Sequence, residues 1–243
     1  SASQITRRLT ENWVLNNVYC PRCGNTELKQ FKNNMPVADF YCENCKSQYE
    51  LKSKATALEN KVADGAYDTM ISRITSNTNP DFFMLNYLSD ENRVTDLIVI
   101  PKYFMTPNII ERRNPLSTTA RRAGWTGCNI LIGDVPKQGK IDIIKDGIEL
   151  PRNQVIDKIG FSAKFKKKSI DARGWLLDVL DCVNLTDSEF FSLKDMYAYA
   201  DILKKKHKGN NNIQEKIRQQ LQILRDRGVV EFIQRGKYRK IMP

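Results

Sequence analysis

One histidine, His207, stands in the whole chain, and that scarcity removes several chemistries at once. A Ser-His-Asp triad, an HExxH zinc protease and a histidine-based nuclease each need an imidazole in a structured setting. His207 instead lies in KKKHKGNNN, which reads as a helix end running into a loop. Any phosphodiester chemistry would therefore rest on carboxylates, lysine and metal. Long apolar runs are missing too. Nothing approaches the roughly 20 residues needed to cross a bilayer, and the opening SASQITRRLTENW lacks the apolar core of a secretory signal. No membrane partner is expected, and a cytoplasmic location is. Acids are scarce at one end: residues 204–243 carry twelve Lys or Arg against three Asp or Glu, so this segment holds +9 of a formal charge of +11. Charge concentrated in this way favours a polyanion as partner, because each neutralised phosphate releases condensed counterions. A solvated, lysine-rich surface is the plainer alternative.

The cysteines, six in all, are unevenly placed, with four in residues 1–54. Apolar residues Leu58, Val62, Ala66, Met70 and Ile74 then repeat at four-residue spacing and predict one buried helix over 55–76. Short β-rich runs follow from Phe82, Leu97, Asn129 and Ile141, the last with a turn at Asp146-Gly147. Together these make a mixed α/β domain over 1–168, with the lysine-rich stretch 160–173 as its edge. The remainder, 169–243, reads as mainly helical. Leu176–Val183 forms one helix, Ser192-Leu-Lys-Asp195 is a capping box opening a second, and Asn211 or Asn212 caps a third reaching about Arg227. A hairpin closes the chain, with VVEFI and YRKI as strands and Arg235-Gly236 at the turn. Three helices and a hairpin are the layout of a winged helix, whose third helix would enter a DNA groove.

Cys20-Pro-Arg-Cys23 and Cys42-Glu-Asn-Cys45 have the spacing of a tetrathiolate Zn²⁺ site. Two disulfides would not suit a reducing cytoplasm, and a redox CxxC would not need two copies. Four thiolates leave no open coordination position, so such a zinc holds the fold, and a catalytic metal must lie elsewhere. Cys128 and Cys182 sit beside apolar residues and read as small hydrophobes.

Asp39, followed by Glu50-Leu51-Lys52, supplies that second site. On a strand, residues 50 and 52 face one side. If Asp39 ends a neighbouring strand, both carboxylates can meet one Mg²⁺, with Lys52 beside the attacking water. Alone, these residues are a weak pattern. They resemble the PD-(D/E)xK nuclease motif, with Val-Ala inserted between Pro36 and Asp39. PVADFYC, ELKSK, DGAY at 64–67, STTARRAGWTGCN at 117–129, EKIRQQLQILRD and RGKYRK together resemble the DpnI-like methyl-directed restriction endonucleases over nearly the whole chain.

That resemblance implies an α/β PD-(D/E)xK nuclease domain with an embedded four-cysteine zinc module, followed by a mainly helical winged-helix domain. It implies double-strand cleavage at GATC containing N6-methyladenine; separately, the chain is expected to be a monomer in solution. It assigns the metal carboxylates to Asp39 and Glu50, a further metal ligand to the backbone carbonyl of Leu51, and the catalytic lysine to Lys52.

DNA-reading residues are expected in two places. On the third C-terminal helix, Gln214, Arg218, Gln219 and Gln222 project away from the stripe Ile213, Ile217, Leu221 and Leu224, and Arg and Gln suit the purine edges of GATC. In the wing, Arg235, Lys237, Arg239 and Lys240 suit phosphates. In the first domain, Arg121, Arg122 and Trp125 place an aromatic beside two cations, where Trp125 contacts a methyl group or anchors its loop. Trp13 and Trp175 read as core. A zinc-ribbon winged-helix transcription regulator is the rival reading. It and an RNA-binding or repair factor explain the cysteines and the basic end but leave Asp39 and Glu50-x-Lys52 without a purpose.

Overall fold

The computed structural model describes residues 2–32, 38–56, 60–88, 93–166 and 169–241, and the chain divides into two units, Ser1–Ala163 and Lys164–Pro243. Pro36 and Leu58, which figure in the motif and in the expected helix, lie outside the described residues. In the first unit a helix α1 (Ala2–Asn17) precedes strands β1 (Lys29–Gln30), β2 (Phe40–Tyr41) and β3 (Gln48–Lys54). Then come β4 (Lys61–Ala66), α2 (Tyr67–Thr75), β5 (Asp81–Leu88) and β6 (Arg93–Ile100). β7 (Ile110–Arg112), β8 (Gly127–Leu131), β9 (Ile141–Lys145), β10 (Ile148–Glu149) and α3 (Arg152–Ser162) complete it.

Two sheets carry the unit. The larger has the order β1-β2-β3-β5-β6-β9-β10, with β3 and β5 parallel and its other pairs antiparallel. The smaller is β4-β8-β7, antiparallel throughout. β5 reads DFFMLNYL and is buried at its first six positions, the continuous pattern of a strand covered on both faces. Phe83, Leu85, Leu97, Val99 and Ile143 join Val14 of α1, Val18 just beyond it, and Val155 and Ile159 of α3 in one core. The hairpin of β9 and β10 turns at Asp146-Gly147 as the sequence predicts.

The helix expected over 55–76 is corrected. Residues 61–66 form β4, and the helix begins at Tyr67. A four-residue spacing is also a multiple of two, so Val62 and Ala66 satisfy a strand as well as a helix. Gly65 disfavours the helix interior, and pairing with β8 decides in favour of the strand.

The second unit winds around α4 (Ile170–Leu185), capped by the Ser169 hydroxyl, which accepts from the Ala172 N–H. Trp175, Leu176, Leu177, Val179, Leu180, Cys182 and Val183 are all buried, as befits a helix wrapped on most sides. His207 is part of this packing: its ring stacks on Trp175 with centroids 3.8 Å apart, and Nε2 lies 2.7 Å from Asp178 Oδ2. β11 (Phe190–Ser192) follows, then α5 (Leu193–Tyr197), with both bonds of the Ser192/Asp195 capping box formed. The chain tightens at Ala198 and Tyr199, whose N–H groups reach the carbonyls three residues back. It restarts as α6 (Ala200–Lys206), where one continuous helix was expected. α7 (Ile213–Asp226) buries Ile213, Ile217, Leu221 and Leu224. β12 (Val230–Gln234) and β13 (Lys237–Lys240) form the closing hairpin, with Gly236 at φ +72°, a conformation glycine adopts without steric cost. β11 adds a third strand, giving the order β11-β13-β12.

In the first unit, Gly139 is buried, and a methyl group there would lie 2.4 Å from the Phe104 ring and 2.8 Å from Val135. Phe104 is itself fully buried and has no room to yield. Gly139→Ala is expected to lower unfolding free energy by about 1–3 kcal/mol through overpacking, read as an earlier midpoint in thermal or urea denaturation.

Candidate active site

The pleat of β3 turns Glu50 and Lys52 to one side, and the Lys52 ammonium lies 2.7 Å from Glu50 Oε1. Asp39 sits immediately before β2, with its N–H donating to the Tyr49 carbonyl at 3.0 Å. Its carboxylate spans two partners. Oδ2 accepts from the Leu51 N–H at 2.7 Å, and Oδ1 accepts from the Arg7 guanidinium at 3.0 Å. Burial raises the Asp39 pKa above the usual carboxylate range, against the opposing pull of the Leu51 amide and Arg7. Asp39, Glu50 and Lys52 line a cleft of about 320 Å³ together with Asp64, Thr69, Met70 and Arg73. A second depression of about 240 Å³ adjoins the same three residues from the side of Arg7, Thr10 and Glu11. Two carboxylates facing solvent-accessible space offer the hard oxygen donors a divalent cation such as Mg²⁺ prefers, so the donor set fits a catalytic metal.

Three residues around the cleft and the adjoining depression carry no role in the sequence reading. Arg7 of α1 binds Glu11 Oε1 as well as Asp39, and Glu11 Oε2 accepts from Gln30 Nε2 at 2.9 Å. The Arg7/Glu11 spacing, one helical turn apart, predicts an ion pair on α1 but not its place beside Asp39. Asp64 was not legible: on the expected helix, two residues after Val62, it points away from the apolar stripe, whereas on β4 it shares a face with Val62. In the structure Asp64 Oδ1 lies 2.5 Å from the Lys52 ammonium. Burial would lower the Lys52 pKa, but Glu50 and Asp64 outweigh it and raise it.

The four cysteines of the two CxxC motifs converge, their sulfur atoms all within 4.8 Å of one another. Cys20 and Cys45 sulfurs lie 3.6 Å apart, as do those of Cys23 and Cys42. A disulfide requires about 2.05 Å, whereas thiolates about 2.3 Å from one tetrahedral ion stand about 3.8 Å apart. The set is compatible with a zinc module. Each motif is followed by a residue with positive φ, Gly24 at 75° and Lys46 at 60°. The N–H of each closes a turn on the first cysteine carbonyl of its motif. Cys20 Sγ also meets the Tyr49 hydroxyl at 3.0 Å, which links the cluster to the catalytic strand. Cys128 and Cys182 are buried, as expected of small hydrophobes.

On α7, Gln214, Arg218, Gln219 and Gln222 are exposed. Arg218 is held by the Tyr197 hydroxyl at 2.6 Å and by Glu215 at 2.9 Å. In the wing, Arg235 and Lys237 are exposed. Arg239 pairs with Glu231 at 2.6 Å, and the Lys240 ammonium donates to the Thr186 carbonyl at 2.7 Å. In the first unit, Arg121 and Arg122 are exposed, and the Arg122 guanidinium lies 4.5 Å above the half-buried Trp125 ring. That ring packs over Gly127. Trp175 is buried as core, and Trp13 packs half-buried against the first unit's core. Among the described residues no helix is long and apolar enough to cross a membrane.

Two family models match this chain nearly end to end. Residues 1–169 match the Dam-replacing family model DpnI, and residues 171–240 match the Dam-replacing HTH domain, DpnI_C. Such a pairing joins a nuclease to a duplex-binding helix-turn-helix and makes double-stranded DNA the partner of the basic C-terminal unit. With a cleft of carboxylates and lysine in its first unit and a winged arrangement of helices and hairpin in its second, the chain belongs to the DpnI family of methyl-directed endonucleases.

Proposed function

We propose that the chain hydrolyses both strands of duplex DNA at GATC containing N6-methyladenine, using Mg²⁺ at Asp39 and Glu50, with Zn²⁺ as a structural ion at Cys20, Cys23, Cys42 and Cys45. The observation that carries the reading is the convergence of Asp39, Glu50 and Lys52 on one cleft, in a chain whose second unit is a basic winged helix. Asp39, Glu50 and the Leu51 carbonyl would hold the magnesium, which when bound polarises the scissile phosphate and acidifies a water. Lys52 orients the attacking water and offsets charge building on the phosphate. The Leu51 N–H holds the Asp39 carboxylate toward β3. The boundary between cutting and reading functions falls at 168/169, and the protein acts as a cytoplasmic monomer.

On the reading side, Gln214, Arg218, Gln219 and Gln222 of α7 face the major groove, while Arg235 and Lys237 meet phosphates. Arg121, Arg122 and Trp125, in the loop between β7 and β8 of the smaller sheet, form a second DNA contact. Lys240 serves its own unit through Thr186, so Lys237 is the better phosphate probe.

Asp39→Ala, Glu50→Ala and Lys52→Ala should each abolish cleavage of methylated plasmid in Mg²⁺ while leaving duplex binding in Ca²⁺ near that of the parent. Near-normal cutting by any two of them overturns the assignment. Elemental analysis should return one zinc per chain, and chelation should unfold the first unit, because binding and folding are coupled; a protein free of zinc sinks the structural-ion assignment. Gln219→Ala should lose about 1–3 kcal/mol of discrimination between methylated GATC and scrambled duplexes. Lys237→Ala should weaken all duplexes alike and reduce the salt slope by about one. Equal losses on every duplex from Gln219→Ala would make α7 a backbone clamp.

A further inference from the structure

The Lys52 ammonium is held from two sheets at once. Glu50, from its own strand, approaches at 2.7 Å, and Asp64, from β4 of the smaller sheet, approaches at 2.5 Å. All three side chains are largely withdrawn from water, at 17% exposed for Lys52, 22% for Glu50 and 11% for Asp64. Asp64 is the more enclosed of the two acids. The β4 backbone is shaped for this contact. Its pairing with β8 slips between Asp64 and Ala66, so Gly65 is an extra residue in the ladder, and no atom lies within 4 Å of where a Gly65 side chain would begin. Bulges of this kind re-aim neighbouring side chains and recur beside active sites. Glu50 also stands among the carboxylates that suit a divalent cation. Negative charge shared with a metal is a weaker hold on the lysine, which leaves Asp64 as its dedicated anchor.

We infer that Asp64 is a positioning residue for DNA cleavage, its carboxylate fixing the Lys52 ammonium beside the scissile phosphate from the second sheet. The inference rests on the nuclease reading above, in which Lys52 acts on the phosphate. It places Asp64 outside the metal ligands and outside the DNA contacts. Removing its charge should therefore slow the chemical step alone.

The test uses the full chain with its zinc and a methylated GATC duplex, at a temperature below the melting onset of every variant. Asp64→Asn should cut roughly 10- to 100-fold more slowly in single turnover, the scale of a small misplacement of a reacting group. Its duplex affinity in Ca²⁺ and its Mg²⁺ affinity by calorimetry should match the parent. Asp64→Ser, which opens space at the same point, should lose rate similarly and recover part of it in added acetate. Cleavage at the parental rate by Asp64→Asn, with Lys52→Ala inactive, overturns the proposal and leaves the nuclease reading intact. A weakened Mg²⁺ affinity in Asp64→Asn overturns it in favour of a metal ligand. Normal cutting by Lys52→Ala removes the nuclease reading itself, and this proposal with it.

Discussion

The pairing of β3 with β5 fixes what every residue of the cleft can do. Tyr49 pairs with Asp81, Glu50 with Phe82 and Lys52 with Met84, and a slip of one residue would exchange the two faces of β3. In the observed register Tyr49 faces the core, stacked on Phe83 with centroids 4.6 Å apart, while Glu50 and Lys52 face the cleft. A fully buried aromatic on one face makes the polar assignment on the other face unambiguous. The cost of slippage is the burial of two charges and the exposure of a large ring, both heavily unfavourable.

The cysteine cluster reinforces the same register from outside the sheet. Cys20 meets the Tyr49 hydroxyl, and Arg22, inside the first CxxC, reaches Asp81 at 2.7 Å. Asp81 also accepts the Lys102 N–H at 2.8 Å. A single buried carboxylate thus ties the first cysteine turn to the beginning of β5 and to the loop that follows β6. The cluster has no direct contact with Glu50 or Lys52 in these bonds. Its influence on the cleft runs through the strand that carries both, which is how a closed four-thiolate site supports chemistry it cannot perform.

Much of this was legible in the sequence because the decisive signals were local. Two CxxC motifs, the capping box at Ser192 and the turn at Gly236 each act over a few residues, and each appears in the structure. Glu50 and Lys52 sharing a side needed only that 48–54 be a strand. Elements set by distant partners were opaque. β11 is three residues long and exists through its pairing with β13. β4 carries a pattern that fits helix and strand equally until β8 is beside it, and the error there hid Asp64. On a helix its carboxylate would point to water, away from Lys52. Arg7 and Glu11 were hidden for another reason: an i, i+4 ion pair is common on exposed helices, and nothing in the sequence says that α1 lies alongside Asp39.

The parallel arrangement of β3 and β5 also sets an order of assembly. Parallel neighbours cannot be joined by a tight turn, and here the connection is β4 followed by α2. Tyr49 and Asp81 are thirty-two positions apart along the chain, whereas both cysteine turns are complete by Lys46. Contacts near in sequence close earlier and at smaller entropic cost than distant ones. On a nascent chain emerging from the ribosome, the thiolate knuckles can therefore gather before β5, the strand that sets the register of β3, has been synthesised. The cysteine scaffold can thus be in place before the strand that fixes which way Glu50 and Lys52 face.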